Sequence, residues 1–201
     1  MKGSIDIDYK ALQTRVGRFL KGSSQTLAKS LAAAGTTLYE GRGVCAGKGQ
    51  AIVRSESGEE MLTTVNIILS CGSSSASFPG LAPDGDAVLD STGVLNLPEV
   101  PESLIIVGAG AIGLELGDFF GMMGSKITIV EAAPHIAPTE DADIAKEMDR
   151  VQSKAGRTCI TGVMAKSLVT KDGQAELTLG DGRVLTASKA LVAVGRTPNT
   201  A

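Results

Sequence analysis

The second half of the chain alternates between short, wholly apolar runs and stretches in which apolar residues recur with helical spacing. Residues 104–107 are aliphatic and end at a glycine, which predicts a strand buried on both faces of a parallel sheet. Apolar side chains at 112, 116, 119, 120 and 123 then predict a helix that ends near Gly124. The predicted strand at 126–130, Lys-Ile-Thr-Ile-Val, completes a β-α-β unit of roughly 30 residues.

The pattern continues with a second helix, a strand, two tight turns and a final strand. Thr139 or Asp141 can cap the helix, whose apolar face carries Ile144, Met148 and Val151. Alternating residues flank the two glycine-containing turns and predict a three-stranded meander. The remaining elements are the strand at 158–161, the turns at 171–174 and 180–182, and the apolar strand at 190–194.

The first half of the chain repeats the last part of this plan. A helix with apolar positions from Leu12 to Leu31 precedes residues 34–41, which align with residues 155–162 at a constant offset of 121. A hairpin and an apolar strand at 65–70 follow. We interpret this as an internal repeat of one nucleotide-binding domain, in which only the second copy keeps its opening β-α-β unit.

These elements together predict an α/β protein. Its main part is a Rossmann-type dinucleotide-binding domain with a three-stranded β-meander crossover, at residues 99–201. A partial second copy of that domain precedes it, at residues 1–98. Residues 80–101 are rich in Pro, Gly and Asp and are predicted to link the two copies.

The composition excludes several classes of function. The chain has 19 Lys+Arg against 22 Asp+Glu and no basic run, which argues against nucleic acid as a partner. No stretch reaches the roughly 18–20 apolar residues of a membrane span, and no signal-peptide pattern opens the chain, so we expect a cytoplasmic protein with no membrane contact. Cys45, Cys71 and Cys159 are spaced for neither a redox pair nor a zinc site and are expected in the core.

Candidate chemistry concentrates at residues 108–113, Gly-Ala-Gly-Ala-Ile-Gly. This GxGxxG sequence follows a predicted strand and opens a predicted helix, whose N-terminus attracts anions. Gly108 permits the tight turn, Gly110 lets the backbone approach a pyrophosphate, and Gly113 lets helix and strand pack closely. Glu131, 18 residues after Gly113, can accept hydrogen bonds from ribose hydroxyls and repel a 2′-phosphate, which predicts NAD rather than NADP.

Five segments together resemble the flavin-dependent pyridine-nucleotide disulfide oxidoreductases and, within that family, the dihydrolipoamide dehydrogenases. The resemblance covers nearly the whole chain and is more specific for the family than for the subfamily. It implies an FAD-binding first domain, here incomplete, and an NAD-binding second domain. The segments are residues 67–73, 95–101, 107–117, 127–131 and 192–200.

The resemblance also implies cofactor contacts for individual residues. Glu115 would face the nicotinamide and the flavin, although the helix dipole alone also favours an acid at its position. Val163 would lie near the adenine and Gly195 near the nicotinamide. The implied NAD set is Gly108, Ala109, Gly110, Ala111, Ile112, Gly113, Leu114, Glu115, Glu131, Val163 and Gly195, and the implied FAD set is Gly43, Cys71, Gly72 and Ser73.

Other family features have no counterpart in these 201 residues. They are an N-terminal FAD-binding GxGxxG, a redox-active CxxxxC pair, a later flavin-binding Gly-Asp motif, and a C-terminal dimerisation domain with a catalytic His-Glu pair. We therefore expect an internal fragment that binds NAD, holds no FAD by itself, and contains no catalytic residue and no metal site. Its expected partners are the missing remainder of the enzyme, a second copy in a homodimeric parent, and a 2-oxoacid dehydrogenase complex.

Two alternatives stay open. One is another disulfide reductase of the family, related to mercuric or glutathione reductases. The other is a non-catalytic NAD-binding module, whose first half would leave apolar strand edges and a helix-sized face uncovered.

Overall fold

The computed structural model describes residues 7–200, which divide into two compact units between Cys71 and Gly72. The N-terminal unit contains α1 (Tyr9–Ala33), β1 (Arg42–Gly47), β2 (Gln50–Ser55) and β3 (Gly58–Thr63). The C-terminal unit contains β4 (Ser73–Ser75), β5 (Val88–Leu89), α2 (Ser91–Leu95), β6 (Ser103–Val107), α3 (Ala111–Met122), β7 (Lys126–Val130), α4 (Ala142–Lys154), β8 (Thr158–Ile160), β9 (Ala165–Lys171), β10 (Gln174–Leu179), β11 (Val184–Ala187), β12 (Lys189–Val192) and β13 (Arg196–Pro198).

The N-terminal unit consists of one helix and one antiparallel sheet. Asp8 caps α1, because its Oδ1 accepts a hydrogen bond from the N–H of Ala11 at 2.9 Å. The helix occurs where the apolar spacing predicted it, but it buries no side chain, and Phe19 is 71% exposed. Strands β1, β2 and β3 pair in chain order. The helix-then-meander order is that of α4 and β9–β11, whereas residues 36–40, which the predicted repeat aligns with the region of β8, form no strand.

The predicted strand at 65–70 is wrong. Within the described chain these residues join no sheet, and Val65 is 94% and Ile68 91% exposed. A largely apolar run such as this one is stable as a strand when parallel neighbours pair with both edges and helices cover both faces. The only sheet described in this unit is antiparallel and ends at Thr63. Apolar side chains are exposed both in this run and along α1.

A five-stranded parallel sheet in the order β5-β12-β6-β7-β8 forms the centre of the C-terminal unit. On β6, Ile105 and Val107 belong to the core cluster that the sheet shares with β9–β11. The intervening Ile106 points toward α3. All three side chains are at most 4% exposed, so this strand is buried on both faces, as predicted.

Helix α3 buries a different stripe from the one that the apolar spacing predicts. Its buried residues are Gly113, Leu114, Gly117 and Phe120, whereas Ile112 and Leu116 are only half-buried. A Cβ on Gly117 would lie 2.9 Å from Cδ1 of Ile106. Glycine at 113 and 117 lets the helix axis approach the sheet closely, beside the buried side chains of Leu114 and Phe120.

Helix α4 is also rotated relative to the prediction. Ala145 and Gln152 are buried, while Ile144 is 52% and Val151 48% exposed. The Oε1 of Gln152 accepts a hydrogen bond from Nη1 of Arg157 at 2.8 Å, so this polar side chain is satisfied inside. Asp141 occupies the N-cap position, as one of the two predicted alternatives, without a capping side-chain hydrogen bond.

The meander β9-β10-β11 confirms the two predicted turns. Asp172 and Gly173 join β9 to β10 with φ angles of 51° and 75°, the left-handed pair that a tight hairpin turn requires. Residues 180–183 join β10 to β11. The meander supplies Leu177 and Leu179, both fully buried, to the core beneath the sheet.

The predicted linker contributes to the sheet. Strand β5 lies within residues 80–101 and pairs with β12, so residues 72–98 belong with the C-terminal unit and the unit boundary precedes the predicted boundary at residue 98. Asp84 holds this segment: its Oδ1 accepts the N–H groups of Asp86 and Val88, and its Oδ2 accepts the hydroxyl of Thr170 on β9 at 2.5 Å. The apolar triplet at 87–89 is too short to stand out within a Pro- and Gly-rich stretch.

Candidate dinucleotide site

The glycine turn at residues 108–113 connects the carboxyl end of β6 to α3. Gly108 has φ +103°, and a Cβ there would lie 2.4 Å from the carbonyl oxygen of Ala193. A Cβ on Gly113 would lie only 2.0 Å from the carbonyl oxygen of Gly108. These two glycines are therefore required by packing alone, whether or not a ligand binds.

Gly110 has a different environment. It is the N-cap of α3 with φ −75°, and apart from its two chain neighbours no residue has an atom within 4 Å of the position its Cβ would take. No side chain caps this helix, although the first N–H groups of any α-helix lack intrahelical acceptors. The open side of the turn thus presents backbone N–H groups and the positive end of the helix dipole, which together favour an anion.

Glu131 follows β7, directly beside the glycine turn. Its Oε2 accepts the N–H of Ala109 at 2.7 Å, and its Oε1 accepts the N–H of Ala133 at 2.8 Å. The side chain is half-buried, so each carboxylate oxygen keeps lone-pair capacity for a further donor. The carboxylate is placed where a ribose next to a turn-bound pyrophosphate could donate to it.

The other residues of the implied NAD set lie in different surroundings. Val163 donates its N–H to the carbonyl of Glu131 at 3.2 Å and is half-buried. Gly195, with φ +123°, comes two residues after the Ala193 carbonyl that the turn contacts. Glu115 is exposed on α3, Leu114 is buried in the core, and Ala111 and Ile112 are exposed and half-buried. The structure thus brings the turn, Glu131, Val163 and the end of β12 to one edge of the sheet.

The implied FAD residues are divided between the two units. Gly43 lies in β1, and Cys71 is exposed at the end of the N-terminal unit. Gly72 and Ser73 belong to the C-terminal unit, where Ser73 begins β4. There the hydroxyl of Ser73 accepts Nε of Arg196 at 2.7 Å, and the carbonyl of Gly72 accepts the N–H of Asn199 at 3.0 Å. Strands β4 and β13 therefore join two of the resemblance segments, about 123 residues apart, in one ribbon.

Sequence reasoning missed two backbone groups that shape the site. The N–H of Ala133 bonds to Glu131, and the N–H of Ala137 bonds to the carbonyl of Ala109 at 2.9 Å. Ala137 adopts φ +49°, which alanine rarely does. Alanine carries no sequence signal for either role, so no pattern could have identified them.

The cysteines do not lie in the core as expected. Cys45 and Cys71 are exposed, and Cys159 on β8 is partly exposed. Burial and the nearby Asp149 raise the pKa of the Cys159 thiol against an opposing effect of Arg157, so the less reactive thiol form is favoured.

Among residues 7–200, no helix combines the length and apolarity needed to cross a membrane.

A family model described as pyridine nucleotide-disulphide oxidoreductase matches residues 8–201. The chain belongs to this family. The resemblance identified from the sequence segments is thereby confirmed, as is the mixed α/β fold with its parallel sheet.

Two dihydrolipoyl dehydrogenases match most of the chain. Dihydrolipoyl dehydrogenase of Chlorobaculum tepidum is 36% identical over 200 residues, which is 97% of this chain and 43% of the relative. The human mitochondrial dihydrolipoyl dehydrogenase is 34% identical over 172 residues, 80% of this chain and 33% of the relative.

Two solved structures show the same fold. The crystal structure of LpdA from Mycobacterium tuberculosis matches with a TM-score of 0.90 and 26% identity, over 99% of this chain and 45% of LpdA. The HOCl-induced flavoprotein disulfide reductase RclA from Escherichia coli matches with a TM-score of 0.86 and 27% identity, over 97% of this chain and 44% of RclA. The chain spans less than half the length of these relatives.

Proposed function

We propose that the C-terminal unit is the NAD-binding portion of a flavin-dependent dihydrolipoamide dehydrogenase. In the whole enzyme, NAD and FAD would exchange a hydride, and a dithiol substrate would be oxidised to a disulfide. The observation that carries this proposal is the uncapped N-terminus of α3 beside the carboxylate of Glu131. The matches to dihydrolipoyl dehydrogenases support the substrate class.

The residues present fit a dinucleotide. The space next to Gly110 is open, and the first turn of α3 offers its N–H groups to a pyrophosphate. Glu131 would accept the ribose hydroxyls, while Val163 would border the adenine and Gly195 the nicotinamide half. When bound, NAD supplies the ring that exchanges the hydride. Glu115, exposed on α3, would orient the nicotinamide toward the flavin.

The prediction that the chain holds no FAD by itself concerns the N-terminal unit. Its described residues contain no strand–glycine–helix turn, and the apolar run at 65–69 has no paired strand. We therefore propose no step through FAD on this chain alone, and the contacts of Gly43, Cys71, Gly72 and Ser73 stay predictions. The homodimeric parent, its 2-oxoacid dehydrogenase complex and the cytoplasmic setting also stay predictions.

The proposal is tested by titrating NADH and NADPH into the purified chain. The chain contains no Trp, so NADH fluorescence can be followed without tryptophan emission. We expect NADH to bind at least about tenfold more tightly than NADPH, because the carboxylate of Glu131 repels a 2′-phosphate. Absence of NADH binding to material with a cooperative thermal transition would contradict the proposal.

The same preparation should not oxidise dihydrolipoamide with NAD. The three cysteines lie 26 and 88 residues apart and form no CxxxxC pair. Robust turnover by the 201 residues would show that another group accepts the electrons.

A second candidate is another disulfide reductase of the family. The similarity to RclA, a flavoprotein disulfide reductase, favours it. Preference for NADPH over NADH in the titration would support this candidate. A third candidate is a non-catalytic NAD-binding module, which rests on the exposed apolar surface of the N-terminal unit. If the chain elutes as a single monodisperse peak in size-exclusion chromatography and binds NADH, this candidate is favoured over an unstable remnant.

A further inference from the structure

The peptide groups on either side of Ala109 are held from outside the glycine turn. The N–H of Ala109 donates to Oε2 of Glu131 at 2.7 Å, and its carbonyl accepts the N–H of Ala137 at 2.9 Å. Ala109 is 0% exposed, so solvent cannot replace either partner. A buried backbone group left without a partner is unfavourable, and both bonds are therefore integral to this turn.

Both partners belong to one segment, residues 131–137, that follows β7. Glu131 begins the segment and is itself fixed by the N–H of Ala133 at 2.8 Å. Ala137 ends it with φ +49°, a conformation that is unfavourable for a residue with a Cβ. Such strain persists only where surrounding contacts determine the backbone. Here the N–H of Ala137 donates to Ala109, and its carbonyl accepts the N–H of Glu140 at 3.0 Å.

We propose that Glu131 and Ala137 are positioning residues that latch the glycine turn in its anion-binding shape before any cofactor arrives. The inference rests on the proposed NAD function and deepens it. Glu131 then acts on two parts of the ligand: it contacts the ribose directly and positions the pyrophosphate cradle through Ala109. Replacing this carboxylate would weaken binding of any ligand at the turn, including one without a ribose.

The test compares wild type with Glu131→Gln. Ala109 and Ala133 donate to different oxygens of the Glu131 carboxylate, and glutamine replaces one of these oxygens with an NH₂ group, so one of the two N–H groups would face a donor. NADH and inorganic pyrophosphate, which has no ribose, are titrated separately by isothermal calorimetry or by amide chemical shifts. Hydrogen exchange of the Ala109 amide is measured without ligand.

We expect pyrophosphate affinity to fall about tenfold in Glu131→Gln, and Ala109 exchange to accelerate by a similar factor. A variant that loses NADH affinity but keeps wild-type pyrophosphate affinity would show that Glu131 acts on the ribose alone, and would overturn the latch. If wild type bound neither ligand, the proposed function would fail, while the Ala109 exchange rates would still decide whether the latch exists.

A second pair of variants tests the other end of the latch. Ala137→Gly keeps the N–H and accepts φ +49° without strain, so pyrophosphate affinity should stay within about twofold of wild type. Ala137→Pro removes the N–H and fixes φ near −65°, so affinity should fall about tenfold. Equal pyrophosphate affinity in both variants, measured below their thermal midpoints, would refute a role for Ala137.

Discussion

A glycine in the turn can be needed for close packing within the protein or for the approach of a ligand to the backbone, and Gly110→Ala distinguishes these two roles. Apart from its two chain neighbours, the added Cβ meets no atom within 4 Å, and φ is −75°, which alanine adopts freely. Replacing glycine by alanine reduces the conformational entropy of the unfolded chain, which stabilises the folded protein by about 0.4–1 kcal/mol. Alanine is a poorer N-cap than glycine by roughly 0.5–1 kcal/mol. We therefore expect the free energy of unfolding to change by less than about 0.5 kcal/mol.

The same methyl group should strongly weaken NADH binding. It occupies the open space through which a pyrophosphate would reach the backbone N–H groups of α3. Loss of one charge-assisted hydrogen bond would weaken binding by about 2–3 kcal/mol, or roughly 30- to 150-fold. NADH fluorescence titration measures this affinity, and thermal or urea unfolding measures the stability of the same preparation.

Gly180→Ala is the matched control in the same unit. Its Cβ would make an ordinary contact of 3.4 Å with the carbonyl oxygen of Met164, far along the chain from the glycine turn. We expect unchanged NADH affinity for this variant. If Gly110→Ala bound NADH as tightly as wild type, the pyrophosphate would not approach this part of the backbone, and the site would be misplaced.

Two further predictions concern stability. Gly113→Ala places a Cβ 2.0 Å from the carbonyl oxygen of Gly108, so it should lower the free energy of unfolding by more than about 3 kcal/mol. Urea unfolding measures this loss, and a loss of less than about 1 kcal/mol would contradict the close packing. Burial raises the pKa of Asp84, but hydrogen bonds from Thr170, Asp86 and Val88 outweigh it and lower the pKa overall. Its contribution is therefore present above the ordinary aspartate pKa of about 3.9 and lost as pH falls through the lowered value. Asp84→Asn should lower the free energy of unfolding by about 1 kcal/mol at pH 7. The difference in this free energy between the variant and wild type should become smaller below about pH 4. A difference that does not depend on pH would refute the role of the charge.

Local sequence patterns determined the parts of this fold that depend on neighbouring residues. Apolar and β-branched runs marked β6, β7 and β12, and glycine-containing turns marked the two connections of the meander. The spacing from Gly108 to Glu131 also follows from one β-α-β unit, because the length of helix and strand fixes where the second strand ends. The turn and the acid could therefore be predicted together.

Only tertiary structure decided which groups meet across the chain. The apolar run at 65–70 has strand character, yet a strand needs partners, and none is described beside it. Strand β5 shows the opposite case: its two residues form a strand because the edge of β12 is available for pairing. Likewise, the hydrogen bonds that hold Ala109 come from residues 22 and 28 positions later, through a carboxylate and a plain alanine backbone. Hydrophobic periodicity reports which face of an element is buried, but it contains no information about the partner that covers that face.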